Sequence, residues 1–92
     1  MIINIDLFTL KNNKSDNIKF FEKIKKIKQM QEVRRIDVVN NMKNKMDTNF
    51  DIALILDFDT KKMLQNYQKT SIYFEFQTFA KNMEIVNVRL TQ

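Results

Sequence analysis

The chain has 92 residues, with 16 Lys and Arg against 11 Asp and Glu for a formal net charge of +5, and it contains no Cys, His, Gly or Pro. Without Cys and His there can be no disulfide, thiolate nucleophile, Cys- or His-ligated metal or imidazole base. The length corresponds to one domain over 1–92, and no apolar run approaches the ~18 residues a membrane span needs.

The first element is a strand over residues 2–10, with Ile3, Ile5 and Leu7 on one face and Ile2, Asn4, Asp6, Phe8 and Leu10 on the other. Its start, Met1-Ile-Ile-Asn-Ile-Asp6, has no basic stretch and an early acid, unlike a signal peptide, so a cytoplasmic protein is expected. Lys11 to Asp16 is a polar loop with Asn12-Asn13 as turn residues. Ser15 or Asp16 can cap the helix that follows, which runs to about Met30. Ile18, Phe21, Ile24 and Ile27 form its apolar stripe, widened by Phe20 and Met30, with Lys19, Glu22, Lys23 and Lys26 opposite.

Val33 to Met42 is β-branched enough for a second strand, and Asn40 to Asn49 is a polar, hairpin-like connection. The third strand, Phe50 to Phe58, carries Phe50, Ile52, Leu54, Leu56 and Phe58 on one face and Asp51, Ala53, Ile55 and Asp57 on the other. The middle of that second face is apolar too, so this strand needs cover on both sides. Asp59 or Thr60 caps a short helix bearing Met63, Leu64 and Tyr67. Thr70-Ser71 interrupts it and caps another, with Ile72, Tyr73, Phe76, Phe79 and Ala80 at helical spacing. Met83 to Leu90 is the last strand, with Ile85, Asn87 and Arg89 alternating against Val86, Val88 and Leu90.

This order predicts an α+β, ferredoxin-like βαββαβ fold: a four-stranded antiparallel sheet with helices on one face, the second helical segment split in two. Ile3, Ile5, Leu7, Ala53, Ile55, Val86 and Val88 then lie on a face no helix covers. Such a patch marks an interaction surface, and two sheets packed face to face in a homodimer bury it most simply.

Three segments in this order resemble those of a known family. Met1-Ile-Ile-Asn-Ile-Asp-Leu-Phe-Thr-Leu-Lys11 is similar to a strand of the form hydrophobic-x-His-hydrophobic-x-hydrophobic-Phe-x-hydrophobic-Lys. Phe50-Asp-Ile-Ala-Leu-Ile-Leu-Asp-Phe-Asp-Thr60 resembles Tyr-Asp-hydrophobic-Ala-Leu-x-x-x-Phe-x-Ser, and Tyr67-Gln-Lys-Thr-Ser-Ile-Tyr-Phe-Glu-Phe76 resembles Tyr-x-x-His-Pro-x-His-x-x-Phe. The family is the stress-responsive A/B barrel, or dimeric α/β-barrel (Dabb), proteins. The resemblance implies a ferredoxin-like protomer and a homodimer whose sheets form a barrel, with a cavity between sheet and helices. Asn4, Thr70 and Tyr73 stand where the family often has His, and Ser71 where it has Pro. A plant polyketide cyclase of the family uses a Tyr and a His of the third segment in aldol chemistry. The matching positions here are Tyr67 and Tyr73.

Alternation puts Asn4 and Asp6 on the helix-facing side of the first strand, and helical spacing makes Tyr67 and Tyr73 lids of the same space. Phe8, Phe21, Ile24, Ile52, Leu54 and Ile85 are expected as apolar walls. The reading is a dimeric protein, non-enzymatic in the first instance, that holds a small apolar molecule there. One alternative is a cofactor-free, cyclase- or lyase-like enzyme on a polyketide-like or aromatic substrate, with Tyr67 and Asp6 transferring protons and Asn4 and Tyr73 positioning an oxygen.

A further alternative is an adaptor for nucleic acid or protein, using Lys19, Lys23, Lys25, Lys26 and Lys28 of the first helix. The bare sheet face carries Ile, Val and Ala rather than stacking aromatics, which argues against RNA. Asp57 and Asp59 are too few to hold Ca²⁺, so no metal is expected. No cofactor is expected either: some relatives bind haem through His, which this chain lacks.

Overall fold

The computed structural model describes residues 1–10, 13–41 and 50–91. Its elements are β1 (Ile2–Phe8), α1 (Lys14–Lys28), β2 (Arg35–Asn40), β3 (Ile52–Phe58), α2 (Lys61–Gln68), α3 (Ser71–Ala80) and β4 (Glu84–Thr91). The strands form one antiparallel sheet in the order β2-β3-β1-β4, and the fold is ferredoxin-like. β2 is shorter than the expected Val33–Met42, and residues 42–49 of the expected polar connection, like Asn12 of the first turn, lie outside the described residues.

Each helix starts where a short polar side chain can accept from the exposed amides of the first turn. For α1 this is Asn13, not Ser15 or Asp16: its Oδ1 accepts from the backbone N–H of Ser15 at 2.9 Å and of Asp16 at 3.3 Å. Thr60 caps α2 by accepting from Met63 N–H at 3.2 Å. Thr70 caps α3 by accepting from Tyr73 N–H at 3.1 Å while donating to the Tyr67 carbonyl at 2.7 Å. One hydroxyl therefore ends α2 and begins α3, which fixes how Tyr67 and Tyr73 face each other.

The buried stripe of α1 is Phe20, Ile24 and Ile27, spaced by four and three, and Met30 beyond its end is buried as well. Ile18 falls outside that stripe and is exposed. The core is built around three rings, with centroids 5.1 Å apart for Phe8–Phe20 and 5.7 Å for both Phe8–Phe76 and Phe20–Phe76. Phe58, Ile52, Leu54 and Leu56 extend it along β3. Asp51 pins the far end of β1, its Oδ2 accepting from Leu10 N–H at 2.8 Å.

The opposite face of the sheet carries Ile5 paired with Ile55 on one side and Val88 on the other, with Leu7 between Ala53 and Val86. No described element covers this face. Ala53 is buried between its neighbours, Ile3, Ile5, Leu7 and Ile55 are half-buried, and Val86, Val88 and Leu90 are exposed. Among the described residues no helix is long and apolar enough to cross a membrane.

Candidate functional site

A cavity of about 240 Å³ opens between the β1–β4 half of the sheet and helices α2 and α3. Asn4 and Asp6 reach it from β1, and Glu84, Asn87 and Arg89 from β4. Leu64, Tyr67 and Gln68 line it from α2, and Tyr73 and Gln77 from α3.

Its floor is a hydrogen-bonded network around Asp6, which is only 3% exposed. Asn4 Nδ2 donates to Asp6 Oδ2 at 3.0 Å. Asn87, directly across the β1–β4 ladder from Asp6, donates through Nδ2 to Asp6 Oδ1 and to Asn4 Oδ1, the latter at 3.1 Å. Arg89, opposite Asn4, donates from Nε to Asn4 Oδ1 at 3.4 Å. A buried carboxylate is tolerated only with such partners. Above it the Tyr67 and Tyr73 rings meet edge to face, with centroids 5.0 Å apart, and Phe58 packs behind Tyr67.

Among the described residues two groups, both at this cavity, have altered acidity. Burial, then the charge of Asp6 and the proximity of Tyr73, hold the Tyr67 hydroxyl above its ordinary range, so it keeps its proton and serves as a donor. The Glu84 carboxyl is pushed up to about 7, first by a side-chain hydrogen bond with Asp6, then by partial burial and by the charge of Asp6.

Of the residues expected at this space, Asn4, Asp6, Tyr67 and Tyr73 come together around the cavity. The expected apolar walls lie elsewhere. Phe8, Ile24, Ile52 and Leu54 are packed in the core, and Phe21 is half-buried against it. Ile85 is 45% exposed. The β1–β4 register shifts between Leu7 and Phe8, so Leu7 faces Val86 but Phe8 faces Glu84. A bulge of this kind sets two residues against one and re-aims a side chain. It turns Glu84 to the cavity side and displaces Ile85 from it.

Leu64, Gln68, Gln77, Glu84, Asn87 and Arg89 were not foreseen as lining residues. Asn87 and Arg89 were legible as the polar side of an otherwise apolar strand, while Glu84 was hidden by the bulge. The lining is consequently more polar than expected. Asp57 and Asp59 both face Arg34, at 3.5 and 3.4 Å. On the lysine face of α1, Lys23 lies over the Phe79 ring, 5.4 Å from its centroid.

The family model described as Stress responsive A/B Barrel Domain (Dabb) matches residues 2–87. No curated protein matches. Among solved structures, a dimeric ferredoxin-like protein of unknown function from Thermobifida fusca is similar over 97% of this chain and 86% of its own, with 16% identity and a TM-score of 0.76. A Dabb family protein from Mesorhizobium loti is similar over 99% of this chain and 95% of its own, with 16% identity and a TM-score of 0.75. A cofactor-independent oxygenase from Streptomyces nogalater matches over 99% and 91%, with 9% identity and a TM-score of 0.72. At these identities the likeness is one of fold.

Proposed function

Because this chain belongs to the stress responsive A/B barrel (Dabb) family, we propose that it acts as a homodimer, sheet against sheet, holding a small molecule in the cavity between sheet and helices. The observation that carries the ligand role is the floor of that cavity, where a buried carboxylate is held by two amides and left facing open space. A concave site with a few convergent polar groups is the usual form of a ligand pocket. At about 240 Å³ it lies below the ~300 Å³ at which drug-sized pockets begin, so the ligand is small. The sequence pointed to an apolar molecule. The amide, carboxyl and guanidinium groups around the cavity favour one that makes hydrogen bonds and rests its apolar part on Leu64 and the two Tyr rings. The dimer is supported by the uncovered face of Ile3, Ile5, Leu7, Ala53, Ile55, Val86 and Val88, and by the dimeric description of the Thermobifida fusca protein. We expect it to bury on the order of 1,600 Å² in total.

A second reading is favoured by one observation, the meeting of Tyr67 and Asp6 in the same cavity. It is a cofactor-free enzyme on a polyketide-like or aromatic substrate, with those two groups moving protons. The fold shared with an oxygenase supports this by analogy alone.

Native mass spectrometry of the untagged protein, paired with thermal-shift screening of small oxygen-bearing compounds, tests the main reading. The expected result is a two-chain mass and a stabilising compound whose effect is lost in Tyr67→Ala. A monomer at micromolar concentration would overturn the assembly. A dimer indifferent to every compound would overturn the ligand role.

A further inference from the structure

We propose that Asp6 and Glu84 together form the acid–base group of this cavity: two carboxyls on neighbouring strands that share one proton and can give it to, or take it from, an uncharged molecule bound above them. This deepens the ligand-binding reading and rests on it, but nothing in the family's pattern requires it, since the expected histidines are absent here.

The geometry begins with the bulge. In unbroken pairing Ile85 would face Phe8 and Glu84 would turn to the other side of the sheet. The register shift sets Glu84 opposite Phe8, on the same side as Asp6 and Asn87, and both carboxyls line the cavity. They differ in setting. Asp6 is buried, and each of its oxygens already accepts from an amide, Oδ2 from Asn4 and Oδ1 from Asn87. Neither amide can take a proton from it. Glu84 is exposed at the edge of the space, on the same side of the sheet as Asp6 and lining the same cavity. A carboxyl held beside another carboxyl gives up its proton late. The hydrogen bond from Glu84 to Asp6 accordingly holds the Glu84 carboxyl up to about 7.

The other groups facing the pair do not displace it from this role. Arg89 on β4 directs its Nε to Asn4 rather than to either carboxyl. Tyr67 on α2 is held protonated, and Tyr73 on α3 lies against the Tyr67 ring. A group that exchanges its proton near neutral pH is what general acid–base chemistry needs, and histidine ordinarily supplies it. With the pair fully ionised, an O–H or C–H bond of the ligand breaks, its electron pair stays on the ligand, and the proton goes to a carboxylate oxygen of the pair. The reverse step returns it. No oxidant, reductant or metal enters.

Carbon-detected NMR of the side-chain carboxyls, titrated from acid to alkaline pH on the ligand-free protein, decides the matter. In the wild type the Glu84 carboxyl carbon should titrate with a midpoint near 7. In Asp6→Asn the Glu84 midpoint should fall towards roughly 4.3, the ordinary glutamate value, held above it only by partial burial. A wild-type Glu84 midpoint below about 5, or a neutral midpoint that survives Asp6→Asn, would overturn the inference. Because the readout needs no ligand, a failure of ligand binding and a failure of the pair appear in different experiments.

Discussion

Phe8 of β1 lies opposite Glu84 of β4, one residue out of step with the pairing of Leu7 with Val86 just before it. On the core side of this register Phe8 completes a cluster of three rings with Phe20 and Phe76. On the cavity side Glu84 joins Asp6. The same irregularity thus serves packing and electrostatics at once.

Removing the Phe8 ring should be costly. Phe8 is fully buried and makes two edge-to-face contacts, to Phe20 at 5.1 Å and to Phe76 at 5.7 Å. Phe8→Ala should lose about 3–5 kcal/mol, a large share of the ~5–15 kcal/mol that holds a domain folded. Urea unfolding at fixed protein concentration should show a much lower midpoint. A loss under about 1 kcal/mol would mean the core closes over the gap without strain.

A charge placed on the uncovered sheet face should separate the protomers. Ile55 is half-buried on that face, directly across from Ile5. In Ile55→Lys an ammonium would enter a sheet–sheet contact beside Asp37, its cross-strand neighbour, which already pairs with Arg35 at 3.3 Å; desolvating the added charge should cost several kcal/mol. Light scattering should report two chains for the wild type and one for the variant, with the circular dichroism of the sheet kept. An unchanged mass would place the contact elsewhere.

The alkaline limb of stability should depend on Tyr67. Its hydroxyl loses its proton at higher pH in the folded chain than in the unfolded one, chiefly because it is buried. The contribution is complete below about pH 10, the ordinary tyrosine value, and is lost as pH rises from there towards the folded value. Tyr67→Phe keeps the ring contacts with Phe58 and Tyr73 and removes the titration. Its unfolding midpoint should fall less steeply above about pH 10 than that of the wild type. Parallel curves would show that the hydroxyl ionises alike in both states.

The strands were legible because two-residue alternation is a backbone property that survives without knowing any partner. Ile3, Ile5 and Leu7 against Asn4, Asp6 and Phe8 already assigned both faces of β1, and the apolar Ala53-Ile55 pair announced a sheet exposed on its second side. Asn4, Asp6, Tyr67 and Tyr73 could be grouped because strand and helix periods place them on facing surfaces. The walls could not be read so easily. Phe8, Ile24, Ile52 and Leu54 are apolar and turn to the interior, but whether such a residue lines a space or fills it depends on how three helices pack, and here all four are buried in one core cluster, with the rings of Phe20 and Phe76 against Phe8. Ile85 and Glu84 were exchanged for a different reason. A bulge shifts the parity of everything beyond it, and no single residue in Met83 to Leu90 marks where it falls. The α1 cap moved to Asn13 because Asn, Ser and Asp can all accept from a first-turn amide.

Lying at one margin of the sheet, β4 has an outer backbone edge that no other described strand pairs, beside the apolar row of Val86, Val88 and Leu90. A solitary chain therefore offers an adhesive ribbon to any extended apolar segment it meets. Where two chains cover that ribbon for each other, folding becomes a matter of mass action, and dilution works as a mild denaturant. The amount of the protein a cell holds would then help determine how much of it stays folded.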